Sequence, residues 1–121
     1  MAKRIVGNYL RTYRKRSALS QQQIARVLGY RDQWQVSRHE RSRTSPTLFI
    51  ALAYKKIFRV SVSALFSEMD AAADHMVEEN LATLEKELRS RKPAARLTKA
   101  HRQKIKWLDE RKQSKERADL L

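Results

Sequence analysis

The chain has 121 residues, which is enough for one small domain and an extension, and it carries a net charge of +14. It contains no cysteine, which excludes disulfides, thiolate metal sites and a cysteine nucleophile. Two glycines and two prolines are few for a turn-rich β fold, and the abundance of Ala, Leu, Arg, Lys, Glu and Gln points to an all-α fold. The charge is laid down in blocks. Residues 1–66 hold 14 Lys/Arg against Asp32 and Glu40; residues 67–88 hold one Lys against seven acids; residues 89–121 hold 12 Lys/Arg against four acids. So large a positive charge fits a polyanionic partner. The opening MAKRIVGNYLRTYRKR lacks the apolar run of a signal peptide, and no later run is long enough to span a bilayer; a cytoplasmic protein without a membrane partner is expected.

In chain order, the spacing predicts a first helix over about 2–16, with Ile5, Val6, Tyr9, Leu10 and Tyr13 on one face. A second helix opens at Ser20, where Gln23 three residues on completes a capping box. Ile24, Val27 and Leu28 face inward, and Gly29 suits the left-handed position that ends a helix. A third opens at Asp32, with Gln35 as its capping-box partner, and runs to about Arg41 with Val36 inward. A fourth takes Ser45 as N-cap and Pro46 as first helical residue, and buries Leu48, Leu52, Ala53 and Ile57. A fifth covers about 61–66, with Val62, Leu65 and Phe66 inward. Beyond Phe66 the pattern changes. Ala73, Val77, Leu81, Leu84 and Leu88 form a narrow stripe on an acidic helix over about 69–91. The Lys92-Pro93-Ala94 step breaks it, and a basic helix follows over about 98–117. The expected domains are therefore 1–66 and a helical extension, 67–121.

The segment 20–46, SQQQIARVLGYRDQWQVSRHERSRTSP, is the most telling. It reads as two short helices joined by a tight turn, the second exposing Gln33, Trp34, Gln35 and Arg38, followed by a basic loop. On a 3.6-residue helix Gln33, Trp34, Ser37 and Arg38 share one face, opposite Val36 and Glu40. Gln and Arg side chains match the donors and acceptors that bases display in the major groove.

The pieces LRTYRKRSALSQ (10–21), QQQIARVLGY (21–30), VSRHE (36–40) and Pro46 followed by LFIALAYKKIFRVSVSALF (48–66) resemble, in order and register, the lambda-repressor-like (Cro/Xre-type) helix-turn-helix family. The resemblance covers about half the chain and implies a five-helix DNA-binding domain. It assigns base reading to Gln33, Trp34 and Arg38, flanked by Gln35 and Ser37. It assigns phosphate contacts to Gln21, Arg41, Arg43 and Thr44, and a buried ion pair to Arg14 and Glu40. Three positions depart from the family pattern. One residue is inserted in the turn Tyr30-Arg31-Asp32, His39 replaces an apolar residue, and Arg59 replaces a glycine, so the chain there either takes a left-handed conformation at some cost or bends differently.

The functional expectation is a sequence-specific double-stranded-DNA-binding transcriptional regulator of bacterial, phage or mobile-element origin, most simply a homodimeric repressor. Val77, Leu81, Leu84 and Leu88 are its candidate dimerisation seam, or alternatively a face packed on the chain's own basic helix. A second reading is an antitoxin or antiactivator that takes a protein partner through 67–121 and regulates itself through DNA. A third is non-specific or RNA binding through charge alone, which would not call for an ordered reading helix. Asp70, Asp74 and Glu78 form an acidic row better read as a solvated face than as a metal site, and His39, His75 and His101 stand apart in sequence. No catalytic triad, glycine-rich phosphate loop or metal-spaced cluster is present, so neither an enzyme nor a cofactor is expected.

Overall fold

The computed structural model describes residues 7–91 and 98–120, which contain seven helices and no strand. These are α1 (Leu10–Ser17), α2 (Gln21–Leu28), α3 (Trp34–Glu40), α4 (Leu48–Phe58), α5 (Val62–Leu65), α6 (Ser67–Arg89) and α7 (Lys99–Leu120). They form two compact units, Met1–Asp74 and His75–Leu121, whose boundary falls inside α6. The expected break at Lys92-Pro93-Ala94 lies outside the described residues.

α1 starts later than its periodicity suggested. The Asn8 side chain stops it from extending back: Oδ1 accepts from the Leu10 N–H at 3.0 Å, and Nδ2 donates to the His39 carbonyl at 2.8 Å. Leu10 is buried and Tyr13 packs beside the core, whereas Tyr9 is exposed; Ile5 and Val6 lie outside the described residues. α2 follows its sequence signals most closely. Ser20 Oγ accepts from the Gln23 N–H at 3.1 Å, and Gln23 Oε1 accepts from the Ser20 N–H at 2.9 Å. Gly29 ends the helix at φ +86°. Its inner face is Ile24 and Ala25, with Leu28 packed against the core as expected, whereas Val27 points to solvent.

α3 and α4 both correct the expected N-termini. Asp32 does not pair with Gln35. Its Oδ1 accepts from the Trp34 N–H at 2.9 Å, two residues on, because the extra residue in the turn lets the short carboxylate close an Asx turn. Gln33 is consequently the N-cap and α3 begins at Trp34. Thr47, rather than Ser45, caps α4: its Oγ1 accepts from the Ile50 N–H at 3.3 Å, and Pro46 stands before the helix. The face that α4 buries is Ile50, Ala51 and Tyr54, with Ile57 packed against the core as expected and Ala53 half-buried, while Leu48 and Leu52 are exposed. Tyr54 decides this. Its ring stacks on Phe58, and its hydroxyl meets His39 Nδ1 at 2.9 Å inside the core, a bond available to only one face of the helix. Ser61 caps α5, and Leu65 and Phe66, inward as expected, close the core formed by Leu10, Ile24, Ala25, Val36, Ile50, Ala51 and Tyr54. Arg59 turns out of α4 in the left-handed region at φ +60°, the first of its two expected courses. Ala18 and Ser42 do the same at φ +62° and +56°.

In the second unit, the end of α6 and α7 run antiparallel. Arg89 pairs with Asp109, Lys112 with Glu85, and Arg111 and Lys115 with Glu78. Beneath these pairs lie Leu88, Leu108 and His101.

Candidate nucleic-acid interface

The surface around α3 is built from below. Val36 and His39 anchor the inner face of the helix, both buried. At its end Glu40, with a side chain only 3% exposed, takes two bonds from Arg14: Nε to Oε2 at 2.6 Å and Nη2 to Oε1 at 3.1 Å. Arg14 also donates to the Leu19 carbonyl at 3.2 Å, so one guanidinium ties α1, the α1–α2 loop and α3 together. The Glu40 hydrogen bond holds the Arg14 pKa above its ordinary value. The pair that the resemblance implied is thus present as geometry, with a third member: Gln21 Nε2 donates to Glu40 Oε1 at 3.0 Å. The expected phosphate anchor Gln21 is therefore first a strut on the buried carboxylate, and one amide hydrogen is left for an outside acceptor.

Above this scaffold Gln33, Trp34 and Gln35 are exposed, and Ser37 and Arg38 are half-buried. The structure brings all five onto α3 and its N-cap, beside the loop that holds Arg41 and Arg43. Arg43 is exposed and Arg41 is turned back, its Nη2 donating to Ser37 Oγ at 2.7 Å. Thr44 stands differently from expectation. Its Oγ1 is buried without a hydrogen-bond partner among the described residues, so it is not offered on the surface as the Arg43 side chain is. Two residues before it, Ser42 takes a left-handed backbone at φ +56°.

Two contributors escaped the sequence reading. Asn8 straps the start of α1 to the end of α3, with Nδ2 also 3.4 Å from Ser42 Oγ. His39 is not isolated but sealed on the inner face of α3, edge-on to Tyr54 and tilted against Tyr30. Burial, reinforced by the charge of Arg38, pushes its pKa below the ordinary value; burial likewise pushes the Tyr54 hydroxyl up. The signals were weak, because a histidine in an apolar slot has a partner only once the chain is folded. His75 is also partnered, 3.2 Å from Glu79.

The stripe Val77, Leu81, Leu84 and Leu88 is divided within the second unit. Leu88 is covered by the chain itself, in a groove it shares with Ala100, Trp107 and Leu108; Leu81 is half-buried, and Val77 and Leu84 are exposed. Of the acidic row, Glu78 is engaged by Arg111 and Lys115, which hold its pKa below the ordinary carboxylate value. Among the described residues no His/Cys/Asp/Glu group could hold a metal ion, and no helix is long and apolar enough to cross a membrane.

Residues 5–64 match the family described as a helix-turn-helix domain. Neither the curated proteins nor the solved structures include a match to the chain. The matched segment spans α1 to α5 almost completely, with α2, the turn and α3 at its centre, and the chain belongs through it to the Cro/Xre-like helix-turn-helix family.

Proposed function

We propose that this protein is a sequence-specific double-stranded-DNA-binding transcriptional regulator. It acts from the cytoplasm as a homodimer on a two-fold operator and represses a promoter of bacterial, phage or mobile-element origin by occupying it. It is a binding protein without catalytic activity. One observation carries this reading: Gln33, Trp34 and Gln35 stand exposed at the start of α3, while the far end of the same helix is locked through Glu40 to α1 and α2. A short helix held rigidly from beneath and presenting amide and guanidinium groups outward suits major-groove edges. Arg41, Arg43 and the remaining Gln21 amide hydrogen supply phosphate contacts that set its register.

Selection of bound duplexes from a randomised pool tests the reading. A palindrome with fixed half-site spacing is expected, and recovery of unrelated sequences overturns it. Replacing Arg38 with Ala is expected to relax preference at one position per half-site and to weaken specific binding by about 1–3 kcal/mol. Equal binding of specific and scrambled duplexes by wild type and variant removes Arg38 from the reading set.

A second reading, an antitoxin or antiactivator, draws on the exposed Trp107 and Leu84 beside the groove of the second unit, which suit a protein partner. Capture of a protein in the absence of DNA, lost on Trp107→Ala, favours it.

A further inference from the structure

Trp34 and Arg38 are four residues apart on α3, so their side chains emerge one above the other on the same face. The Arg38 Cζ lies 5.8 Å from the centroid of the Trp34 ring, within reach of the attraction between a cation and an aromatic face. The ring has a fixed base, because the Trp34 N–H is held by Asp32 Oδ1 at 2.9 Å. Ser37, on the same helix, already accepts from the Arg41 guanidinium at 2.7 Å. Trp34 does no core work: it is 58% exposed, and the apolar cluster closes without it. A large aromatic ring left in water on the reading face, with a guanidinium lying over it, needs a reason of its own.

An arginine that reads a base must give up the freedom of a long side chain, and a guanidinium already oriented gives up less on binding. We propose that Trp34 is a positioning residue for Arg38: its ring holds the guanidinium in one orientation before DNA arrives, and discrimination by Arg38 depends on an aromatic ring at this position. The inference rests on the reading of α3 as the base-reading helix. It reassigns Trp34 from reading a base to aiming the residue that does.

The test is selection from a pool of randomised duplexes by the full chain and by Arg38→Ala, Trp34→Ala, Trp34→Leu and Trp34→Phe. Arg38→Ala is expected to flatten one position of each half-site. Trp34→Ala and Trp34→Leu should lower discrimination at that same position about two- to fivefold, while Trp34→Phe, which keeps a ring, retains it. In the Arg38→Ala background, Trp34→Ala should change nothing further there. Leucine keeps apolar bulk and helix propensity, so an effect shared by Ala and Leu but absent in Phe belongs to the ring and not to folding. The proposal is overturned if Trp34→Leu leaves the Arg38-dependent position intact, if it flattens a different position, or if Trp34→Phe is impaired as severely as Trp34→Leu. Failure of the underlying reading looks different: the wild-type chain itself then enriches no sequence.

Discussion

Residues 7–74 bury nine apolar side chains from five helices, and the acid at the end of α3 lies beneath the surface with its cation. In residues 75–120 only Leu88 and Leu108 among the apolar side chains described reach that depth, and exposed ion pairs such as Arg89–Asp109 and Lys112–Glu85 run between α6 and α7. Apolar packing is not screened by ions, and in the first unit it backs α3 through the buried Val36. Exposed ion pairs are individually weak and screened by ions. The contrast teaches where rigidity is needed: under a surface that must hold side chains at fixed spacing, and less so in a helical hairpin.

The largest expected effect comes from Glu40→Ala. It leaves the Arg14 guanidinium and the Gln21 amide without their acceptor and should lower stability by about 3–5 kcal/mol, read from urea unfolding. A loss below about 1 kcal/mol would show that the network is ornamental. Next, Leu65→Ala should cost about 2–5 kcal/mol and lower amide protection across α1 to α5. Leu88→Ala should instead open the hairpin while α2 and α3 stay protected from hydrogen exchange; loss of protection in α3 would break the comparison. Acid should then separate the units. The folded state holds the His39 pKa below its ordinary 6.5, so the unfolded chain binds that proton more readily. Stability from this site is full above pH 6.5 and falls as the pH drops below it, and His39→Gln should abolish the slope. Glu78 and Glu85 are held below their ordinary 4.5, so the hairpin keeps their contribution above that pH and loses it as the pH falls through their lowered values. Helix content followed during acid titration should show the two steps in that order, and about 0.5 M salt should weaken the hairpin more than the first unit. The smallest effect is a gain. Arg59→Gly, at a left-handed φ, should stabilise by about 1 kcal/mol in thermal melts.

Local signals were legible and cross-chain ones were not. Ser20, Gln23 and Gly29 mark α2 because a cap and a left-handed turn involve residues only a few positions apart. The Arg14–Glu40 pair spans 26 positions, and nothing in the periodicity indicates it; only the family resemblance placed the two residues together. The face of α4 was only half legible: Ile57 packs against the core as expected, but a helix reading LFIALAYKKIF offers apolar residues on every side, and the Tyr54–His39 bond that turns it spans 15 positions. The start of α3 moved because the inserted turn residue lets Asp32 reach the Trp34 N–H. The left-handed Ser42 went unforeseen because it has no glycine to announce it.

Asp32 and Glu40 are the only carboxylates in the first 66 residues. Asp32 Oδ1 is occupied by a backbone amide, and Glu40 is submerged with its cation. An approaching phosphate therefore meets little opposing field from that stretch of chain beyond the one exposed charge of Asp32. Encounter should be fast and weakly dependent on orientation, and its rate constant should fall steeply as ions are added, even on duplexes that contain no preferred sequence.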